Sequence, residues 1–322
     1  MQIAPFVIAF AFIGSNVSAQ QPSLVHAKQL LDKRELDAAK AEYTALARML
    51  PNDVTPSLQL GRIAMSQNET EEAIKQFEQC AKIDDTNADC HAWLGNALGN
   101  AAMRANKFKL PFLAKRTKKE FDRAVELDPG NIEGRMGELQ YYLNAPGFLG
   151  GSVEKAREQA AEIEKHNKMR AALAYAVIAE KDKKTTEAEA AYLRAVSVAP
   201  DSVNGYNGLV NLYVREKRWS DAFAILDRVT ARIPTELNIP LAVARVAYLS
   251  GEQLPRGEAA AKGWLANPPK DASIGSKTSA HIRLGNIYEK TGRKELARAE
   301  YERALSVNPK SEDAKKALEN VR

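Results

Sequence analysis

The chain is poor in most of what builds a catalytic centre. It has 322 residues, with two cysteines, four histidines and three tryptophans, and aromatics make up only 7%. The histidines, His26, His91, His166 and His281, are scattered, and no HxxxH or CxxC pairing occurs. Zinc needs several such ligands gathered in one place, so the pattern gives no support to a metal site. No GxSxG is present. The one glycine-rich turn ahead of a predicted helix, Gly147–Ser152, lacks the Lys-Ser/Thr ending and the preceding strand of a P-loop, and reads as a lid or spacer. After residue 19 no long apolar run appears, whereas a membrane-spanning helix needs about 20 such residues. We therefore expect no cofactor, no enzymatic activity and no later transmembrane segment.

What is present is helical periodicity. The composition, 45% apolar and 27% charged, suits a soluble helical protein. The stretch Thr278–Pro309 shows the pattern best. Leu284, Gly285 and Tyr288 share one helical face, and Gly292 ends that helix with Lys290 and Arg293 near its negative end. A second helix carries Ala297, Tyr301, Ala304 and Leu305 on one stripe, and Pro309 stops it. Weaker copies fill most of the chain. Pro51 to Asp85 and Pro200 to Pro234 are each one period of about 34 residues.

On Leu284, Gly285, Tyr288, Ala297, Tyr301 and Pro309 the stretch resembles a tetratricopeptide repeat, with His281 at the tryptophan position. The resemblance implies an all-α fold, an α-solenoid of helix-turn-helix units wound into a right-handed superhelix. It implies eight helical hairpins over about 22–51, 54–85, 88–129, 132–168, 169–200, 203–234, 237–269 and 278–309, with a capping helix in 311–322. In the first copy Ala39, Tyr43 and Pro51 fit and Ala27 takes the place of the first-helix glycine. The third begins with Trp93, Leu94, Gly95 and Leu98, then carries about ten extra residues. The fourth is broken by Asn144–Ser152, whose APGFLGGS sequence resembles loops in a subset of bacterial tetratricopeptide proteins. A Pro/Gly/Ser linker, Asn267–Ser276, separates the seventh and eighth copies.

Residues 1–19 differ from the rest. Ile3–Gly14 is apolar, and Val17-Ser18-Ala19 matches a small-x-small cleavage site, so we read a secretory signal peptide and an exported, periplasmic or secreted protein. Cys80 and Cys90 lie equally far from the turn expected at Asp84–Asn87 between antiparallel helices. Two readings stay open there: a disulfide, which suits an oxidising compartment, and two buried thiols.

Two regions are candidates for function. Arg104–Arg123 holds eight basic and two acidic residues, a net +6 against +5 for the whole chain. Lys107, Lys109, Lys115, Arg116, Lys118 and Lys119, interleaved with Phe108 and Phe112, would suit an anionic lipid or polymer surface. Export argues against nucleic acid. The second region follows from the resemblance, which implies that first-helix residues line a concave groove for a peptide or helix of a partner protein. By that register the groove holds Arg62, Asn96, Asn207, Asn211, Arg215, Arg245, Tyr248, Asn286 and Lys290. Ala92, Asn207 and Ile282 occupy the position where the carboxylate-clamp subset has lysine, so capture of a C-terminal carboxylate does not fit. The expected function is a non-catalytic interaction scaffold. The alternative is an envelope assembly factor whose segment 104–123 contacts an anionic surface.

Overall fold

The structure, a computed structural model, describes residues 22–321; the signal-peptide reading of residues 1–19 lies outside them. The described residues form seventeen α-helices and no strand. They pair as α1 (Leu24–Asp32) with α2 (Leu36–Met49), α3 (Val54–Ser66) with α4 (Thr70–Ile83), α5 (Ala88–Met103) with α6 (Leu110–Leu127), and α7 (Ile132–Asn144) with α8 (Val153–His166). The series continues with α9 (Lys168–Lys181) and α10 (Thr185–Val198), α11 (Val203–Arg215) and α12 (Trp219–Arg232), α13 (Ile239–Ser250) and α14 (Leu254–Ala266), α15 (Ile274–Lys290) and α16 (Lys294–Val307). Helix α17 (Glu312–Asn320) closes the stack.

Local rules set the ends of these helices. Many first helices open on a short polar side chain that accepts a backbone N–H: Ser23 from His26, Asn87 from Cys90, Asn131 from Gly134 and Asn167 from Arg170. Each such cap contributes about 1 kcal/mol. In six of the eight hairpins the turn into the second helix passes through a left-handed residue, which is Arg34, Asn68, Lys183, Lys217, Gly251 or Gly292. Only the two glycines were visible as turn residues in the sequence, because side-chain-bearing residues enter this region at a cost of roughly 1–2 kcal/mol.

The hairpins are locked by rings set against bare backbone. A Cβ built on Gly285 would stand 2.4 Å from the Tyr301 ring, and one on Gly61 would stand 2.4 Å from Phe77. Beside three such rings sits a recurring histidine–glutamate hydrogen bond. His26 faces Glu42 at 2.5 Å, His91 faces Glu120 at 2.7 Å, and His281 faces Glu300 at 2.7 Å. Each glutamate directly precedes the ring residue Tyr43, Phe121 or Tyr301. That register corrects one assignment: Leu30, not Ala27, takes the glycine position of the first copy; in the third copy it puts His91 at the tryptophan position. Trp93 stacks on Phe77.

Three departures from regularity matter. The extra residues of the third hairpin lengthen both helices, to 16 residues in α5 and 18 in α6, with a break at 104–109 and Pro111 in the first turn of α6. Proline is tolerated there because those N–H groups have no helical partner. Cys80 at the end of α4 and Cys90 in the first turn of α5 form a disulfide, which for so short a loop contributes roughly 2–3 kcal/mol. Helix α15 begins at Ile274 rather than 278, capped by Ser273, so the linker before it is shorter than the sequence suggested.

The stacking also defines an inside and an outside. First helices touch across successive hairpins, α3 with α5, α5 with α7, α7 with α9, α9 with α11 and α13 with α15. Second helices pack on their own partner and on the next first helix. First helices therefore take the shorter, inner path. The curl continues until the first hairpin meets the linker ahead of α15. Arg34 Nε donates to Asp271 at 2.7 Å and Lys270 Nζ to Glu35 at 2.7 Å, across 237 and 235 residues of sequence. A cleft of about 880 Å³ lies between these two segments.

Candidate functional site

The inner face divides into residues already engaged and residues left available. Arg215 of α11 is paired with Glu180, Asn286 accepts from the Tyr301 hydroxyl at 2.7 Å, and the Arg62 guanidinium lies 5.1 Å from the Trp93 ring centroid. Asn96 is half-buried, and Lys290 is exposed. Asn207 lines a cavity of about 200 Å³ whose wall includes Arg34 from the first hairpin.

The structure brings together Asn211, Arg245 and Tyr248, and adds Arg283, which the sequence reading passed over. Arg245 on α13 donates through Nη1 to Asn211 Oδ1 on α11 at 2.7 Å. Arg283 on α15 donates through Nη1 to the Leu241 carbonyl of α13 at 2.9 Å. Burial pushes the Arg283 guanidinium below its ordinary pKa; Tyr248 opposes the shift and Arg245 adds to it. Neither guanidinium has a carboxylate within ion-pair distance among the described residues. Three adjacent first helices thus present an amide and two cations that an anion can satisfy. Arg283 sits two residues before Gly285, where the other copies have Gln59, Trp93 and Arg135. Arg135 of the fourth copy stands at the same position and is engaged by the Pro129 carbonyl and Gln159, so the residue type alone gave no signal.

A second site forms where the two irregular segments meet. The loop after α7 makes a single 3-10 turn, Gly147–Leu149, and folds back beside α6. Its shape is fixed by Tyr141 Oη donating to the Leu149 carbonyl at 2.7 Å and by Ser152 N donating to the Tyr142 carbonyl at 2.9 Å. A Cβ on Gly151 would stand 1.9 Å from the Ala145 carbonyl oxygen, so only glycine fits. Between loop and helix runs an open groove of about 840 Å³, walled by Pro111, Lys115, Lys119, Phe148 and Leu149.

At its floor a charge cluster gathers around the buried Glu138. Lys118 is paired with Asp122, stands 3.8 Å from Glu138 and lies 5.1 Å from the Tyr142 ring centroid. Burial, and after it a hydrogen bond with Asp122, pushes the Glu138 carboxyl up to about 7, against the opposing charge of Lys118. Among the described residues no group of three or more His, Cys, Asp or Glu could hold a metal ion, and no helix is long and apolar enough to cross a membrane.

Comparison with known proteins agrees with the architecture. Models described as tetratricopeptide repeat match residues 184–236 and 278–311, and one described as TPR repeat matches 61–101. The chain carries tetratricopeptide repeats. Its fold is an α-solenoid. Among solved structures, the Cut9–Hcn1 hetero-tetramer of APC/C is similar, with 10% identity, TM-score 0.51, and coverage of 92% of this chain and 55% of that one. A thermophilic TPR protein of Thermus thermophilus has 16% identity, TM-score 0.50, and coverage of 56% and 92%. A tetratricopeptide repeat protein from Parabacteroides merdae has 16% identity, TM-score 0.49, and coverage of 92% and 96%. At their identities the likeness to the first two is one of fold alone. A comparison with curated proteins finds no match.

Proposed function

We propose that the protein is an exported, non-catalytic scaffold that binds a segment of a partner protein along the inner face of its last three hairpins. The observation that carries the reading is the pair Arg245 and Arg283, two guanidiniums near enough to feel one another's charge, with only Asn211 and a main-chain carbonyl as acceptors among the described residues. An acidic side chain of the partner would satisfy both. Tetratricopeptide repeats serve widely as protein-interaction scaffolds, and the Cys80–Cys90 disulfide suits an oxidising compartment.

A photo-crosslinker placed at Asn211 tests this in the intact chain. The expected result is a defined crosslinked protein whose yield falls roughly tenfold or more in Arg245→Ala and Arg283→Met, since a hydrogen bond to a charged group contributes about 1.5–3 kcal/mol. Crosslinking that is unchanged by either substitution would sink the assignment.

A further inference from the structure

We propose that the outer junction of α6 with the Gly147–Leu149 turn is a docking surface for an anionic lipid bilayer. This goes beyond the groove reading and does not depend on it. The charge is sorted unevenly. Of the eight cations in 104–123, Arg116 is paired with Glu78, Lys118 with Asp122 and Arg123 with Glu126. Arg104, Lys107, Lys109, Lys115 and Lys119 form no ion pair among the described residues. The free cations are interleaved with the most exposed large apolar side chains of the described residues. Met103 is 84% exposed, Phe108 81%, Phe112 71% and Phe148 84%.

Phe112, Lys115 and Lys119 follow one another at helical spacing on α6, so an apolar tip and two free cations share a stripe. Phe148 is held beside Pro111 and Lys115 by a turn whose hydrogen bonds and glycine requirement leave it little freedom. Two segments that interrupt the repeat pattern in separate hairpins thus converge on one face and present the same chemistry. Of the carboxylates beside these cations, Glu120, Asp122 and Glu126 are engaged by His91, Lys118 and Arg123, and Glu69 and Glu72 by Lys40 and Lys75. Asp85 and Glu71 are left, so the free cations outnumber them and call for an anionic occupant. Aromatic and methionine side chains that project outward, rather than line a deep pocket, fit a deformable surface into which they can insert. The acidic protein segment, which would need formed pockets for its own side chains, is the competing occupant.

The test uses co-sedimentation of the full chain with phosphatidylcholine vesicles, with and without phosphatidylglycerol. Binding through Ile3–Gly14 to the apolar interior of the vesicle adds to every chain alike and is removed by subtracting the binding to neutral vesicles. Each lysine near an anionic surface changes affinity by about fivefold. The quadruple variant Lys107→Gln, Lys109→Gln, Lys115→Gln and Lys119→Gln is expected to lose on the order of a hundredfold or more in binding to anionic vesicles. Its loss on neutral vesicles is expected to be small. The double variant Phe108→Ser and Phe112→Ser is expected to lose the part of binding that survives about 1 M salt, where the screening length is roughly 3 Å. Asn211→Ala with Arg245→Ala leaves vesicle binding unchanged, which separates this surface from the groove. Equal binding of the quadruple variant and wild type to anionic vesicles overturns the proposal. So does capture of polyglutamate by a chain that ignores vesicles, an outcome that would assign the surface to an acidic protein.

Discussion

Glu138→Gln isolates the energetic cost of one buried carboxylate. Glu138 on α7 is 6% exposed, and its carboxyl is pushed up to about 7 from the ordinary 4.5. In the unfolded chain the group ionises near its ordinary value, and in the fold it stays protonated to higher pH. Below about pH 4 it is neutral in both states and costs nothing. As pH rises from there, the unfolded chain gains a solvated charge that the fold resists, so stability falls until the folded group has ionised above about pH 7. A displacement of this size corresponds to roughly 3 kcal/mol. Glutamine keeps the shape and never ionises, while Lys118 keeps Asp122. The variant should match wild type at about pH 4 and exceed it by up to roughly 3 kcal/mol at about pH 8. With about 2.1 cal/mol/K of unfolding entropy per residue, that gain appears as a rise of roughly 5 °C in Tm at the higher pH. Thermal unfolding followed by circular dichroism at both pH values checks it. A variant that is less stable at about pH 8, or that differs from wild type equally at both pH values, refutes the assignment of burial as the dominant cause.

Two further outcomes follow from packing and from the closure of the curl. Gly285→Ala drives a methyl into the Tyr301 ring and should cost about 1–3 kcal/mol in urea unfolding, whereas Gly263→Ala, with open space at its Cβ, should not lose stability. Arg34→Gly removes the ion pair to Asp271 while relieving a left-handed backbone, so the first hairpin should keep its helicity while the radius of gyration from small-angle scattering increases. An unchanged radius would show that the two ends meet without that pair.

The repeat was legible because it rests on apolar spacing, small residues and prolines, all of which repeat along the chain. Leu284, Gly285 and Tyr301 carried the fold class without help from tertiary context. The charged insertion was legible as a total but not in its parts. Sequence cannot say that Arg116 reaches Glu78 on another hairpin while Lys115, one residue away, reaches no carboxylate among the described residues. Arg283 was missed because groove positions were taken from the register of the consensus, and its burial depends on the contact between α13 and α15. The left-handed turns at Arg34, Lys183 and Lys217 were missed because their residue types do not favour that conformation; the tight link between packed helices imposes it. The meeting of Arg34 with Asp271 depends on the summed rotation of all the hairpins between them, a quantity no local pattern contains.

That meeting has a kinetic corollary. An open stack of hairpins is made almost entirely of contacts close in sequence, and such chains nucleate anywhere and fold quickly. Joining Arg34 and Glu35 to Asp271 and Lys270 adds contacts separated by 237 and 235 residues, which can form only after every intervening hairpin is in place. Assembly then has a distinct last event, slower than hairpin formation, and disassembly has a distinct first one. The first hairpin, which in an open stack has only one neighbour and would fray, gains a second neighbour through the curl and leaves the stack only after that link is released.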